Sequence, residues 1–77
     1  MKQVVIYTTA YCPYCEAAKR FLRSKKVKFT EVDVTNDEAM REKLVRMTGG
    51  RETVPQVFVD GKLIGGYEDL VAFKGFS

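Results

Sequence analysis

The sequence predicts an α/β domain in which four strands form a mixed sheet, with helices on both faces and a short last helix. The first observation is that strand-like apolar runs and amphipathic helical segments follow one another in the order β-α-β-α-β-β-α. The second is an Asp-Gly pair between the last two apolar runs, which indicates a tight hairpin. The hairpin makes the last two strands antiparallel, whereas we expect strands separated by a helix to run parallel.

The first strand and helix occupy residues 3–24. QVVIYT, at residues 3–8, is a continuous run of β-branched and aromatic side chains, as expected of a central strand buried on both faces. A helix over residues 13–24 follows, because Cys15, Ala18 and Leu22 recur at helical spacing between charged positions.

The second strand and helix follow. VKFTEVDV, at residues 27–34, alternates apolar and polar side chains and predicts a strand. Thr35 and Glu38 have the spacing of a capping box, so we expect a helix that begins after Thr35 and ends near Met47. Its inward stripe is predicted to be Met40, Leu44 and Met47.

The last three elements are short. Residues 54–59 and 62–66 flank the Asp60-Gly61 turn and are predicted as strands three and four. The remaining residues allow only a short helix, which starts near Tyr67 and ends before Gly75.

Length and composition limit the classes of protein to which the chain can belong. The chain has 77 residues, 45% of them hydrophobic and 30% charged, so we expect a single domain over residues 1–77 with one small core. Without an apolar run of roughly 20 residues or a signal-peptide pattern, it is expected to be soluble and cytoplasmic, with no membrane partner. We also expect a monomer.

The net charge of +3 reflects 13 Lys and Arg against 10 Asp and Glu, with much of the excess at residues 19–28. A solvated helix face explains this run, and attraction to acidic partners or small anions is the alternative. Since no nucleic-acid-binding motif accompanies the basic residues, we expect no nucleic-acid partner.

Cys12 and Cys15 are the two cysteines of the chain. A disulfide between them closes so small a loop that it would add little stability. A structural zinc site normally needs four ligands, but the chain has no histidine and no second cysteine pair. A redox centre is therefore the favoured interpretation, and no metal is expected.

The pair lies at the predicted junction of the first strand and helix. Cys12 falls at the N-cap and Pro13 at the first helical position, so the backbone N–H groups of Tyr14 and Cys15 should point toward the Cys12 sulfur. These hydrogen bonds and the helix dipole are expected to lower the pKa of Cys12 below the usual ~8.5. Lys19, nearly two turns along the same face, is expected to add a smaller attraction.

Cys15 lies one turn inside the helix, so we expect it to be more buried and to keep a higher pKa. This asymmetry is typical of a redox dithiol. Cys12 attacks a disulfide to form a mixed disulfide, which Cys15 then resolves.

Three motifs together resemble the dithiol glutaredoxins of the thioredoxin fold: CPYC at residues 12–15, TVPQVF at 53–58 and GGYED at 65–69. The resemblance covers nearly the whole chain. It implies that the peptide bond before Pro55 is cis and that Pro55 faces Cys12. The predicted catalytic residues are therefore Cys12, Cys15, Lys19 and Pro55.

The resemblance also implies a groove that binds glutathione, the expected reductant. Many relatives have a lysine a few residues before the first cysteine, whereas this chain has TTAY there; Arg51 is the candidate to replace it. Gly65-Gly66 would let a ligand approach the backbone, and Asp69 would accept from the α-amine. The glutathione-binding residues implied in this way are Tyr14, Arg51, Thr53, Val54, Gly66, Tyr67, Glu68 and Asp69.

The leading functional prediction is a glutathione-dependent thiol–disulfide oxidoreductase that reduces protein disulfides and glutathione mixed disulfides. The alternative is a glutaredoxin-like protein reduced by thioredoxin reductase and serving ribonucleotide reductase. A third interpretation is an iron–sulfur cluster carrier in which two chains share a cluster through Cys12 and glutathione, although Pro13 and Tyr14 argue against it.

Overall fold

The computed structural model describes residues 2–76 and has the predicted order of elements. The α1 bounds and the β3–β4 hairpin agree closely with the prediction, whereas β2 is shorter at both ends and β3 begins only after Pro55. The elements are β1 (Val4–Thr8), α1 (Pro13–Ser24), β2 (Thr30–Asp33), α2 (Glu38–Met47), β3 (Gln56–Val59), β4 (Lys62–Gly65) and α3 (Tyr67–Ala72).

The four strands form one mixed sheet in the order β2-β1-β3-β4. β1 is parallel to β2 and antiparallel to β3, and β3 is antiparallel to β4. The β3–β4 turn has positive φ angles at both Asp60 and Gly61, 51° and 81°, as the Asp-Gly signal predicts.

The prediction that helix-separated strands run parallel is correct for β1 and β2 but wrong for β3. Thr8 is opposite Asp33 in one pair and Tyr7 is opposite Gln56 in the other, so β3 starts at the end of the sheet where β2 finishes. Gly49 and Gly50 have φ angles of 72° and 105° in the connection after α2. Glycine tolerates this region of φ, which lets the segment turn the chain back into the sheet.

The core lies between α1, α3 and one face of the sheet. Side chains from both sides meet there and exclude water, which is the main stabilising contribution. The buried members of this cluster are Val4, Ile6, Ala18, Leu22, Val57, Val59 and Leu70.

The second face of the sheet is covered by α2, and less completely. Met47 borders an open groove with Val5, Tyr7 and Phe58 and is 39% exposed. Leu44 is the member of the predicted inward stripe that is fully buried. The stripe prediction is therefore wrong for Met47, because this residue ends the helix beside the open groove.

The N-cap of α2 is Asp37 rather than the predicted Thr35. The Asp37 carboxylate accepts from the Met40 N–H at 3.0 Å. Thr35 instead accepts from the Ala10 N–H at 2.6 Å and donates to the Asp33 carboxylate at 2.6 Å. A tertiary contact to the loop after β1 thus replaces the local capping box.

A polar cluster joins β1, β2 and α1. The buried Thr8 hydroxyl donates to Glu31 Oε2 at 2.7 Å, and the Lys19 ammonium lies 3.0 Å from the same oxygen and 2.7 Å from Glu16 Oε2. The Thr8 hydrogen bond, followed by that of Lys19, holds the pKa of the Glu31 carboxyl below its usual range. Hydrogen bonds to Glu16 and Glu31 raise the pKa of Lys19.

Replacing Glu31 tests this cluster. Because its folded-state pKa is lowered, the ionised carboxylate stabilises the fold above about pH 4, and this contribution is lost as the pH falls through the folded-state pKa. We expect Glu31→Gln to lower the free energy of unfolding by about 1 kcal/mol at pH 7, a value reduced by partial solvent exposure. Urea unfolding of both proteins from pH 7 down to pH 3 measures the difference.

Glu42→Gln is the matched control, since Glu42 lies on the exposed side of α2. It should change stability by less than about 0.5 kcal/mol at every pH. If Glu31→Gln lowered the free energy of unfolding as much at pH 3 as at pH 7, the charge of Glu31 would not be the cause.

Candidate active site

The two cysteines lie at the start of α1 with unequal burial, as predicted. Cys12 is the N-cap, with extended backbone angles of −113° and 101°, and Pro13 follows at the first helical position. Cys12 is half-buried, whereas Cys15 is completely buried, and both are free thiols. The helix therefore presents one sulfur to the surface and encloses the other.

Two hydrogen bonds position the Cys12 sulfur. The Cys15 N–H donates to Cys12 Sγ at 3.1 Å, and the Cys12 thiol donates to the Val54 carbonyl oxygen at 3.8 Å. Tyr14, the second predicted donor, makes no such hydrogen bond among the described residues. The prediction that backbone groups contact this sulfur is thus confirmed for Cys15 and wrong for Tyr14.

Burial, followed by the hydrogen bond with Cys12, raises the pKa of Cys15 to about 12. The nearby positive charge of Lys19 opposes this shift only weakly. Cys15 is therefore a protonated thiol at neutral pH, which fits a residue that reacts second. This confirms the predicted asymmetry for Cys15.

Lys19 does not lie free beside the cysteines. Its side chain is 11% exposed and its ammonium is held by Glu16 and Glu31. These two carboxylates partly neutralise the positive charge of Lys19. Its role in tuning Cys12 stays a prediction.

The segment before β3 forms the other wall of the site. The Val54–Pro55 peptide bond is cis, as the resemblance implies, and Pro55 is buried. The Val54 carbonyl faces Cys12. The TVP motif and the cysteine pair are therefore adjacent, although they are about 40 residues apart in sequence.

A groove of about 620 Å³ lies beside this wall. All eight residues predicted to bind glutathione line it, together with Pro55 and Gln56. The complete lining is Tyr14, Arg51, Thr53, Val54, Pro55, Gln56, Gly66, Tyr67, Glu68 and Asp69.

The groove combines aromatic walls with opposite charges. The rings of Tyr14 and Tyr67 have centroids 6.0 Å apart. Arg51 Nη1 lies 3.7 Å from Asp69 Oδ2, and both side chains are about half exposed. Such a lining suits a small peptide that carries both carboxylate and ammonium groups.

Asp69 also organises the start of α3. Its Oδ2 accepts from the Gly66 N–H at 3.2 Å. Gly65, with φ of +125°, makes room for this arrangement, because a Cβ there would collide with the Asp69 carboxylate and lie 2.9 Å from Arg51 Nη1. Gly65 therefore serves the packing of the groove. Close approach of a ligand to the backbone at Gly65-Gly66 stays a prediction.

Gln56 is a site residue that the sequence analysis missed. Gln56 is 1% exposed, and its Nε2 donates to the Thr53 carbonyl at 3.0 Å, which fixes the segment before Pro55. Its Oε1 is buried without a protein partner among the described residues. The available signal for Gln56 was a polar residue directly after VP, at the start of a buried strand.

Two further features concern residues 2–76. No helix there is both long enough and apolar enough to span a membrane. Within the same residues, no three His, Cys, Asp or Glu side chains come together as a group able to hold a metal ion.

Sequence comparisons agree with this geometry. Residues 4–64 match the family model for glutaredoxin. The chain is 47% identical over 72 residues to glutaredoxin 3 of Escherichia coli K12, covering 94% of this chain and 86% of that protein. It is 43% identical over 74 residues to a glutaredoxin of Pseudomonas aeruginosa PAO1, covering 96% and 87%.

Solved structures show the same similarity. Glutaredoxin 1 from Francisella tularensis superposes with a TM-score of 0.81 at 34% identity, over 94% of this chain and 91% of that one. Buckwheat glutaredoxin in complex with glutathione gives 0.84 at 27% identity, over 92% and 66%. The family model matches most of the chain, and these relatives share its sequence and its fold. The chain therefore belongs to the glutaredoxin family of thiol–disulfide oxidoreductases.

Proposed function

We propose that this protein uses glutathione to reduce protein disulfides and glutathione mixed disulfides through Cys12 and Cys15. The observation that carries the proposal is the groove of ten residues whose Val54 wall contacts the half-buried Cys12 thiol. A thiol without such a groove would exchange with any small disulfide. The groove supplies a place for one particular reducing substrate.

Reduction of a protein disulfide proceeds in two exchanges. The Cys12 thiolate attacks one sulfur of the substrate, the substrate disulfide breaks, and the leaving thiolate takes up a proton. Cys15 then loses its proton and attacks Cys12 Sγ, which forms the Cys12–Cys15 disulfide and releases the second substrate thiol. Because its pKa is raised to about 12, Cys15 does not compete for the first attack.

Two glutathione molecules complete the cycle. The first attacks Cys12 of the disulfide, which leaves Cys15 as a thiol and glutathione bonded to Cys12. The second attacks the glutathione sulfur, which releases oxidised glutathione and the Cys12 thiolate. One substrate disulfide and two glutathione molecules thus give two thiols and one oxidised glutathione.

The lining suggests how glutathione lies in the groove. We assign the cysteinyl part to the Tyr14 side and the extended backbone to Thr53 and Val54, whose main chain is available as at a sheet edge. The γ-glutamyl end reaches the segment 66–69, where Asp69 accepts from the amine. Arg51 supplies a cation for a carboxylate.

The cellular location and the expected partners follow from this chemistry. A dithiol reduced by glutathione needs a pool of reduced glutathione, so we place the reaction in the cytoplasm. We expect disulfide-containing or glutathionylated proteins as partners, and ribonucleotide reductase is one candidate. A monomer suffices for this cycle, because one chain supplies both thiols and the whole groove.

Serine variants test the roles of the cysteines. Cys12→Ser should lose all thiol transfer, because no second sulfur reaches the surface at the site. Cys15→Ser should lose reduction of protein disulfides but keep removal of glutathione within about threefold, because external glutathione resolves the intermediate. Both activities are measured for both variants by coupled NADPH oxidation. Full removal of glutathione by Cys12→Ser would contradict the assignment.

Asp69 variants test the groove. Asp69→Asn keeps an oxygen to accept from Gly66 but removes the charge, so we expect the KM for glutathione to rise about threefold to tenfold with kcat nearly unchanged. Asp69→Ala should raise this KM further, because the hydrogen bond from the Gly66 N–H at the start of α3 is also lost. Glu52→Gln is the control, since it removes a charge next to Arg51 in sequence but outside the groove lining. An unchanged KM in both Asp69 variants would contradict this binding mode.

The electron donor is tested by a direct comparison. We expect glutathione with glutathione reductase to sustain turnover, with a KM raised by the absence of a lysine before Cys12. The assay follows NADPH oxidation on one disulfide substrate with this pair in one reaction and thioredoxin reductase in another. Turnover with thioredoxin reductase alone would contradict glutathione dependence and favour the alternative donor.

A further inference from the structure

Tyr11, directly before Cys12, has an unusual environment for a large aromatic residue. Its relative exposure is 102%, so its side chain is fully open to solvent. Its φ angle is +59°, in the left-handed region that bulky side chains rarely adopt. The chain therefore holds an apolar ring in water, in an unfavourable backbone conformation, beside the nucleophile.

The loop that carries Tyr11 is anchored on both sides. Before it, the Ala10 N–H donates to Thr35 Oγ1 at 2.6 Å, and Thr35 is itself held by the Asp33 carboxylate. After it, the Cys12 sulfur accepts from the Cys15 N–H at 3.1 Å. These contacts fix the backbone around Tyr11, so its ring is presented from a rigid support. Strained residues held in this way cluster at functional sites.

Tyr11 does not belong to the groove. The groove lining contains Tyr14 and Tyr67, which occupy its aromatic walls, but not Tyr11. A tripeptide held in the groove thus leaves the ring of Tyr11 uncovered. A contact that buries this ring must come from a larger substrate that extends over the surface around Cys12.

We propose that Tyr11 is a docking residue for protein substrates and contacts the polypeptide next to the substrate disulfide. This inference rests on the proposed function. A tyrosine fixes only two side-chain torsions on binding and offers both apolar area and a hydroxyl, which suits contact with varied polypeptide surfaces. Because its backbone is already anchored, little ordering cost is added on binding.

The reaction geometry agrees with this role. When Cys12 attacks the sulfur of glutathione in a glutathionylated protein, the disulfide breaks and the protein thiolate leaves with a proton from solvent. Glutathione then stays bonded to Cys12 and lies in the groove. The leaving protein then lies outside the groove, and the surface next to Cys12 there includes the exposed ring of Tyr11.

The test compares two substrates that share the glutathione half and differ in the leaving group. One is glutathionylated serum albumin, and the other is the mixed disulfide of glutathione and 2-mercaptoethanol. We expect Tyr11→Ala and Tyr11→Gly to lower kcat/KM for the albumin substrate about fivefold to tenfold. For the small substrate, kcat/KM should stay within about twofold. Tyr11→Phe should recover most of the albumin activity, because the ring is retained.

Stability serves as an internal control. Glycine suits the left-handed conformation, so Tyr11→Gly should be at least as stable as the wild type to urea. Val71→Ala, which removes an exposed apolar side chain of α3, is the matched control and should affect neither substrate.

Two results would overturn the inference: unchanged albumin activity in Tyr11→Gly, or equal losses on both substrates, which would place the effect at Cys12 or in the groove. A wild-type protein that uses glutathione on neither substrate would instead contradict the proposed function. The small substrate therefore separates the two failures.

Discussion

The hydrogen bond from the Cys15 N–H to the Cys12 sulfur is the contact on which the site depends. It exists because Cys12 is the N-cap of α1, where the first N–H groups of the helix have no internal partner. The position of α1 is in turn fixed by Ala18 and Leu22, which are completely buried against the sheet. Packing of the core thus determines where the reactive sulfur lies.

The same helix produces the difference between the two thiols. One turn separates the N-cap from the buried face, so a spacing of three residues leaves Cys12 half-exposed and encloses Cys15. Burial penalises the thiolate of Cys15 most strongly, and the contact with Cys12 adds to the effect. The position of each thiol along the helix therefore accounts for the proposed order of reaction, in which Cys12 attacks first.

Features set by local sequence were predictable, and features set by distant contacts were not. The α1 bounds, the Asp60-Gly61 turn and the unequal cysteines follow from spacing within a few residues, and the structure confirms them. The direction of β3 depends on how the segment after α2 returns to the sheet. Thr35 fits the pattern of a helix cap, but its hydroxyl oxygen accepts a hydrogen bond from the N–H of Ala10, 25 residues earlier in the chain. Periodicity and capping patterns contain no information on such pairs.

Three separate connections of the fold meet near Cys12. The loop after β1 carries Tyr11, the connection after β2 anchors that loop through Thr35, and the segment before β3 brings the Val54 carbonyl to the sulfur. Each connection leaves the sheet at the same end, because β3 starts where β1 and β2 finish. The unexpected antiparallel direction of β3 is therefore what places the cis-proline segment beside the cysteines. A β3 that ran parallel to β1 would start at the opposite end of the sheet, and Cys12 would lose its contact with the Val54 carbonyl.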